Sequence, residues 1–62
     1  MIKVIKVEIY EDFEGMRNCE IFKNEENAKE WIKKETNNIG YWESDYEFVS
    51  GVMTYRIIGI KI

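Results

Sequence analysis

One segment of this sequence, from Asn24 to Gly40, has the pattern of an amphipathic helix with a signal at each end. Asn24 suits the N-cap position, because its side chain can accept a hydrogen bond from a backbone N–H that the helix leaves unpaired. Ala28, Trp31 and Ile32 follow at the spacing of one helix face. A helix of this length is not stable alone in water, so we expect its tryptophan to pack against a sheet.

The two segments before the helix alternate between apolar and polar residues, as β-strands do. In residues 2–10, Ile5, Val7 and Ile9 fall on one face, because successive strand residues point to opposite sides. Residues 16–23 follow an acidic turn that contains a glycine, and we expect them to return antiparallel to the first strand. The sequence before the helix therefore predicts a β-hairpin.

The residues after the helix predict a second hairpin. A third strand is expected from residue 43 or 44 to residue 49, and Ser50 with Gly51 has the composition of a two-residue hairpin turn. That turn would place Phe48 opposite Met53. It would also keep the apolar residues of both strands on one face of the sheet, which supports the pairing.

The final strand changes phase and is longer than its hairpin partner. Ile57 and Ile58 are adjacent, Gly59 follows, and Ile60 and Ile62 continue the even-numbered face. Either a bulge near the glycine or a central position in the sheet, covered on both faces, would explain this pattern. The overhang needs another neighbour, either the first strand or a second copy of the protein. Its three even-numbered isoleucines are therefore the candidate oligomer contact.

The whole chain, residues 1–62, is expected to form one domain of the α+β class. A single helix packs on a small, mostly antiparallel sheet, and the elements follow the order β-β-α-β-β. Domains of this size often depend on disulfides, metals or self-association. A single cysteine cannot form an internal disulfide, and without histidine or a second thiol a zinc site is excluded. Good packing or self-association must then stabilise the fold.

The residues that usually carry catalysis are absent or isolated. The chain has no histidine, which removes the commonest general base. Cys19 lies in a predicted strand, where we expect a buried structural thiol and no activated nucleophile. The acidic turn of Glu11, Asp12 and Glu14 is too short for a calcium loop, and we expect it to be solvated. The four glycines are isolated, so no phosphate-binding loop is present. We expect no enzyme activity, no cofactor and no metal.

Two features could form a binding surface. Tyr41 and Trp42 are adjacent and would point to opposite sides of an extended chain. One alternative is that Trp42 caps the core. The other is that one of the two rings is an exposed anchor that binds a protein or stacks on a nucleic-acid base. Glu43, Asp45 and Glu47 would alternate along one strand face at about 6–7 Å intervals. Such a row is either a solvated strand face or a surface that enters a basic, nucleic-acid-binding groove on another protein.

These features predict a small non-catalytic protein-binding module, an inhibitor or modulator of a host or nucleic-acid-handling protein. The partner-binding residues would be Tyr41, Trp42, Glu43, Asp45 and Glu47. In size, architecture and acidic character the chain resembles short proteins of phages and other mobile elements, many of which inhibit host enzymes. The resemblance is one of size and general character, and it does not rest on any particular stretch of residues.

The alternative function is a small oligomeric domain that contacts nucleic acid through its aromatic residues and scattered lysines. The net charge of −3 argues against it, because nucleic-acid backbones select proteins rich in lysine and arginine. Lys3, Lys6, Lys23 and Lys61 could share a face only if the terminal strands are neighbours. No apolar run approaches the roughly 20 residues that span a bilayer, so we expect a cytoplasmic protein without a membrane partner.

Overall fold

The computed structural model describes residues 3–61, which form one helix and one five-stranded antiparallel sheet. The strand order in the sheet is β2-β1-β5-β4-β3. The α+β class and the single helix on an antiparallel sheet are confirmed. In chain order the elements are β1 (Lys3–Glu11), β2 (Gly15–Phe22), α1 (Glu25–Thr36), β3 (Tyr41–Ser44), β4 (Glu47–Ser50) and β5 (Met53–Lys61).

The helix has the ends that the sequence predicts. The Asn24 side chain accepts a hydrogen bond from the backbone N–H of Asn27 at 2.8 Å. At the other end Asn37 takes the left-handed conformation, with φ of 54°, and the N–H of Asn38 donates to the carbonyl of Lys33 at 2.9 Å. Asparagine tolerates this conformation better than most residues. The backbone N–H groups that follow the helix then satisfy carbonyls that the helix leaves free.

The core lies between α1 and one face of the sheet. Ile5, Val7 and Ile9 of β1 form the centre of that face, as predicted, and pack with Ala28 and Ile32 of the helix. Burying a side chain such as Ile32 contributes about 1.5–3 kcal/mol, so these contacts hold the helix on the sheet. The remaining core residues are Phe48, Tyr55 and Ile57, with Phe22, Trp31 and Met53 half-buried around them.

The predicted third strand is wrong in its bounds, because the chain turns in the middle of it. β3 already begins at Tyr41, and the chain returns in β4 from Glu47. Between these strands the backbone N–H of Tyr46 donates to the Ser44 hydroxyl at 3.2 Å, and Ser44 pairs with Glu47. A serine side chain can support a turn without glycine or proline. The sheet therefore has one strand more than the predicted order contains.

The predicted turn of the last hairpin is displaced by one residue. Gly51 and Val52 form the turn, and Phe48 pairs with Tyr55 where Met53 was expected. Gly51 has φ of 61°, and glycine at the first central position is the signature of a type II′ turn. The change moves the register by two positions in total, so the residues of β4 and β5 stay on their predicted faces and only their cross-strand partners differ.

The long last strand is explained by its central position in the sheet. β5 lies between β1 and β4, and it pairs with β1 without interruption from Glu11↔Met53 to Lys3↔Lys61. The first strand is therefore the neighbour of the overhang, as one of the two alternatives predicted. Of the two explanations for the change of phase, the bulge near Gly59 is wrong, because Gly59 pairs with Ile5 in regular register. The strand is central, but the helix covers only the face that carries Tyr55 and Ile57.

Candidate functional site

A groove opens between α1 and the β3–β4 hairpin. It has a volume of about 540 Å³. Trp42 and Phe48 line the sheet side of this groove. Glu26, Lys29 and Lys33 are among the residues that line its helix side. We call this the aromatic groove. It exists because the helix lies mainly over β1, β2 and β5, so that the residues of β3 beside it stay exposed.

Trp42 is held in the groove but remains open to solvent. Its ring meets the Phe48 ring edge-on, with centroids 5.1 Å apart and an interplanar angle of 65°. The Lys29 ammonium nitrogen lies 5.3 Å from the centroid of the Trp42 ring, within the range of a cation–π contact. The side chain is still 42% exposed. Trp42 is therefore positioned by residues of two other elements, while part of its apolar surface has no cover.

Tyr41 points away from the aromatic groove. It pairs with Val49 in the β3–β4 ladder, one position from the Trp42–Phe48 pair, so its side chain lies on the opposite face of the sheet. It is 58% exposed. The two adjacent rings thus point to opposite sides of the strand, and the structure does not bring them together into one surface.

The predicted row of carboxylates is wrong, because its members lie in three different elements. Glu43 is in β3, where the register with β4 shifts between Trp42 and Ser44. Asp45 is in the following turn and lines the aromatic groove. Glu47 is in β4, where its carboxylate accepts a hydrogen bond from Arg56 Nε at 2.8 Å. Of the three predicted acidic residues, the structure places one beside Trp42 in the groove.

Charged side chains form a network on the sheet face opposite the helix, which we call the open face. The Glu8 carboxylate accepts a hydrogen bond from the Tyr10 hydroxyl at 2.6 Å and lies 3.0 Å from the Lys6 ammonium nitrogen. The Tyr10 hydrogen bond and then the Lys6 contact hold the pKa of Glu8 below its usual range. The guanidinium carbon of Arg56 lies 5.2 Å from the centroid of the Tyr10 ring, and Arg56 pairs with Glu47.

Sequence reasoning missed this network. The alternation of Lys6 and Glu8 was visible, but Arg56 could be placed beside them only once β1 was known to pair with β5. In that pairing Glu8 lies directly opposite Arg56. Opposite charges alternate across the strands, which neutralises the network and stabilises an uncovered sheet face.

The candidate oligomer contact lies at one end of the open face. Ile58 pairs with Lys6 and Ile60 pairs with Val4, and both isoleucines are half-buried. Ile62 lies outside the described residues. A second copy of the protein at this end of the sheet stays a prediction.

The predicted buried thiol is wrong. Cys19 is exposed. It lies opposite Glu8 on β2, which is an edge strand, and the helix does not cover that face. The general tendency of cysteine to be buried did not account for this uncovered position.

Two lysines whose side chains the structure describes are paired with carboxylates. The terminal strands are neighbours, and Lys3 pairs with Lys61 in register. Lys6 lies on the open face and pairs with Glu8 at 3.0 Å. Lys29, in the aromatic groove, also pairs with Glu25 at 3.7 Å. These pairings give no support to the nucleic-acid alternative.

No protein-family model matches this sequence, and no curated protein or solved structure is similar enough to count as a match. Within residues 3–61 no helix is long and apolar enough to cross a membrane. Nor does that part of the chain hold a group of three or more cysteine, aspartate or glutamate side chains arranged to bind a metal ion.

Proposed function

We propose that this chain is a small non-catalytic protein-binding module, an inhibitor or modulator of its partner, and that the aromatic groove receives a segment of that partner. The observation that carries this proposal is the position of Trp42. It is packed against Phe48 and Lys29, yet 42% of its side chain is exposed. Tryptophan residues that are fixed in place but uncovered are typical anchors of protein interfaces.

The neighbouring strand edge favours an extended segment as the occupant. β3 is the last strand of the sheet, and all four of its residues are exposed. A polypeptide can pair with the free backbone groups of an edge strand and place alternate side chains on one face of the sheet. On the helix side those side chains would enter the groove beside Trp42, where Asp45 and Lys33 offer charges of both signs.

Affinity capture from cells of the source organism tests the proposal. The bait is the whole chain, compared with Trp42→Ala and with the control Ile21→Ala, which removes an exposed apolar side chain from the opposite edge strand. Trp42→Ala is expected to lose the captured protein, and Ile21→Ala is expected to retain it. Thermal unfolding of both variants checks that each is folded.

The proposal is wrong if folded Trp42→Ala retains every captured protein at wild-type yield. A second variant, Asp45→Asn, measures whether charge in the groove contributes. It leaves the Trp42–Phe48 contact in place, so we expect a smaller loss of binding than with Trp42→Ala.

A further inference from the structure

The turn between β1 and β2 carries the most exposed large apolar side chain among residues 3–61. Phe13 is fully exposed, at 107%, whereas the next such residue reaches 68%. Its φ is +69°, a left-handed conformation that a bulky side chain rarely adopts. The other non-glycine residues with positive φ among residues 3–61 are Asn37 and Asn38, and asparagine tolerates a positive φ. Neither burial nor turn geometry therefore explains a phenylalanine at position 13.

Two backbone hydrogen bonds hold this turn in place. The N–H of Glu14 donates to the carbonyl of Glu11 at 3.0 Å and closes the turn. The N–H of Asp12 donates to the carbonyl of Val52 at 2.9 Å and ties it to the turn between β4 and β5. Val52 is exposed as well. This end of the sheet thus presents two apolar side chains on joined turns, and we call Phe13, Val52, Asp12 and Glu14 the sheet tip.

The sheet tip is also negatively charged. Asp12 and Glu14 flank Phe13 in the chain, and both are exposed. Neither has a basic partner within 4 Å among the residues that the structure describes, whereas the nearby Glu11 lies 3.5 Å from Arg17. An exposed phenyl ring between two unneutralised carboxylates has a specific complement: an apolar pocket with basic side chains at its rim.

We propose that the sheet tip is a second protein-binding surface, at which Phe13 enters an apolar pocket bordered by lysine or arginine on a partner protein. The ring gains burial only in such a pocket, and basic residues at the rim would pair with Asp12 and Glu14 when water is excluded. The left-handed backbone conformation of Phe13 is of the kind found at functional sites. This surface shares no residue with the aromatic groove, so the proposal stands independently of the proposed function.

Site-specific photo-crosslinking tests the proposal. The full chain carries p-benzoylphenylalanine in place of Phe13, and a control chain carries it in place of Tyr46, an exposed aromatic residue in the turn between β3 and β4. After irradiation in cells of the source organism, mass spectrometry identifies the crosslinked residues. We expect position 13 to crosslink one protein, at apolar residues bordered by lysine or arginine. The control at position 46 should not crosslink those residues. Crosslinks to a second copy of this chain, to nucleic acid, or to nothing beyond the control would each overturn the proposal.

Binding and stability must then respond differently to Phe13→Asn. With the purified crosslinked protein, the affinity of Phe13→Asn should fall by at least about tenfold, and raising the ionic strength should weaken wild-type binding. The melting temperature of Phe13→Asn should equal or exceed that of the wild type, because asparagine accepts positive φ. Phe22→Asn, which alters a half-buried ring, should melt lower and shows that the assay detects lost packing. A Phe13→Asn variant that melts as low as Phe22→Asn would assign the ring a folding role and refute the proposal.

Discussion

Gly40 should tolerate no side chain, because both its conformation and its surroundings exclude one. Its φ is +140°, and a Cβ atom there would lie 2.3 Å from the carbonyl oxygen of Val49 and 2.7 Å from Cε2 of Phe48. The strained backbone costs about 1–3 kcal/mol. The overlap with a backbone oxygen and a core ring costs a further 1–3 kcal/mol or so. Gly40→Ala should therefore lower the free energy of unfolding by about 2–6 kcal/mol.

This loss is large for so small a domain. At about 0.05–0.15 kcal/mol per residue, 62 residues give a total stability of roughly 3–9 kcal/mol. Thermal unfolding monitored by circular dichroism should thus show a melting temperature at least about 8 °C lower, since each kcal/mol corresponds to about 4–8 °C.

Gly51→Ala is the matched control for this experiment. Gly51 also has positive φ, at +61°, but nothing lies within 4 Å of its Cβ position. It should lose only the conformational part, about 1–3 kcal/mol. If Gly40→Ala melts no lower than Gly51→Ala, a side chain at position 40 does not collide with the Val49 carbonyl and the Phe48 ring.

Three further predictions test other parts of the fold. Asn24→Ala removes the helix cap and should lower the free energy of unfolding by about 1 kcal/mol in a urea titration. Tyr10 and Lys6 hold the folded pKa of Glu8 below the ordinary value of 4.5, so Glu8 stabilises the fold above that pH. The stability advantage of the wild type over Glu8→Gln should shrink as the pH falls through the folded pKa, and a constant difference between neutral and acid pH would contradict this. The Cys19 thiol is exposed and should react with a thiol reagent at the same rate without and with denaturant, whereas slower reaction of the native protein would show that it is covered.

The parts of the fold that follow from neighbouring residues could be predicted. The helix is one of them, because Asn24 lies directly before it and Ala28 and Ile32 mark its buried face. The apolar face of β1 is another, because Ile5 and Val7 alternate without interruption. In each case the sequence signal lies within a few residues of the helix or strand that it predicts.

The β3–β4 turn was not predicted, because Ser44 and Asp45 are weaker turn signals than glycine or proline and lie within an alternating, strand-like pattern. Ser44 and Tyr46 alternate with acidic residues, and nothing in residues 43–49 matches the usual glycine or proline signal of a turn. The hydrogen bond between Tyr46 N–H and the Ser44 hydroxyl forms only when the chain has already turned. The predicted row of carboxylates required one continuous strand, and it is wrong because that strand is interrupted by the turn.

The candidate site was predicted only in part, since its members come from distant segments. The sequence singled out Trp42 as unusual. It gave no sign that Lys29 of the helix and Phe48 of β4 would hold it. Those contacts depend on where the hairpin lies relative to α1, which no local pattern encodes. The adjacent Tyr41 looked equivalent in the sequence, yet the strand sends it to the other face.

Folding alone explains some exposed apolar groups of this protein better than others. On the open face, Ile58 is half-buried beside Lys6, whose aliphatic stem can cover apolar surface while its charge pairs with Glu8. The charges at this part of the open face are paired, and the isoleucine beside them is half-buried. Trp42 differs because it lines a groove, and Phe13 differs because it is fully exposed at a backbone position with positive φ. These two positions are therefore where binding should first be sought, one beside the helix and one at the sheet tip.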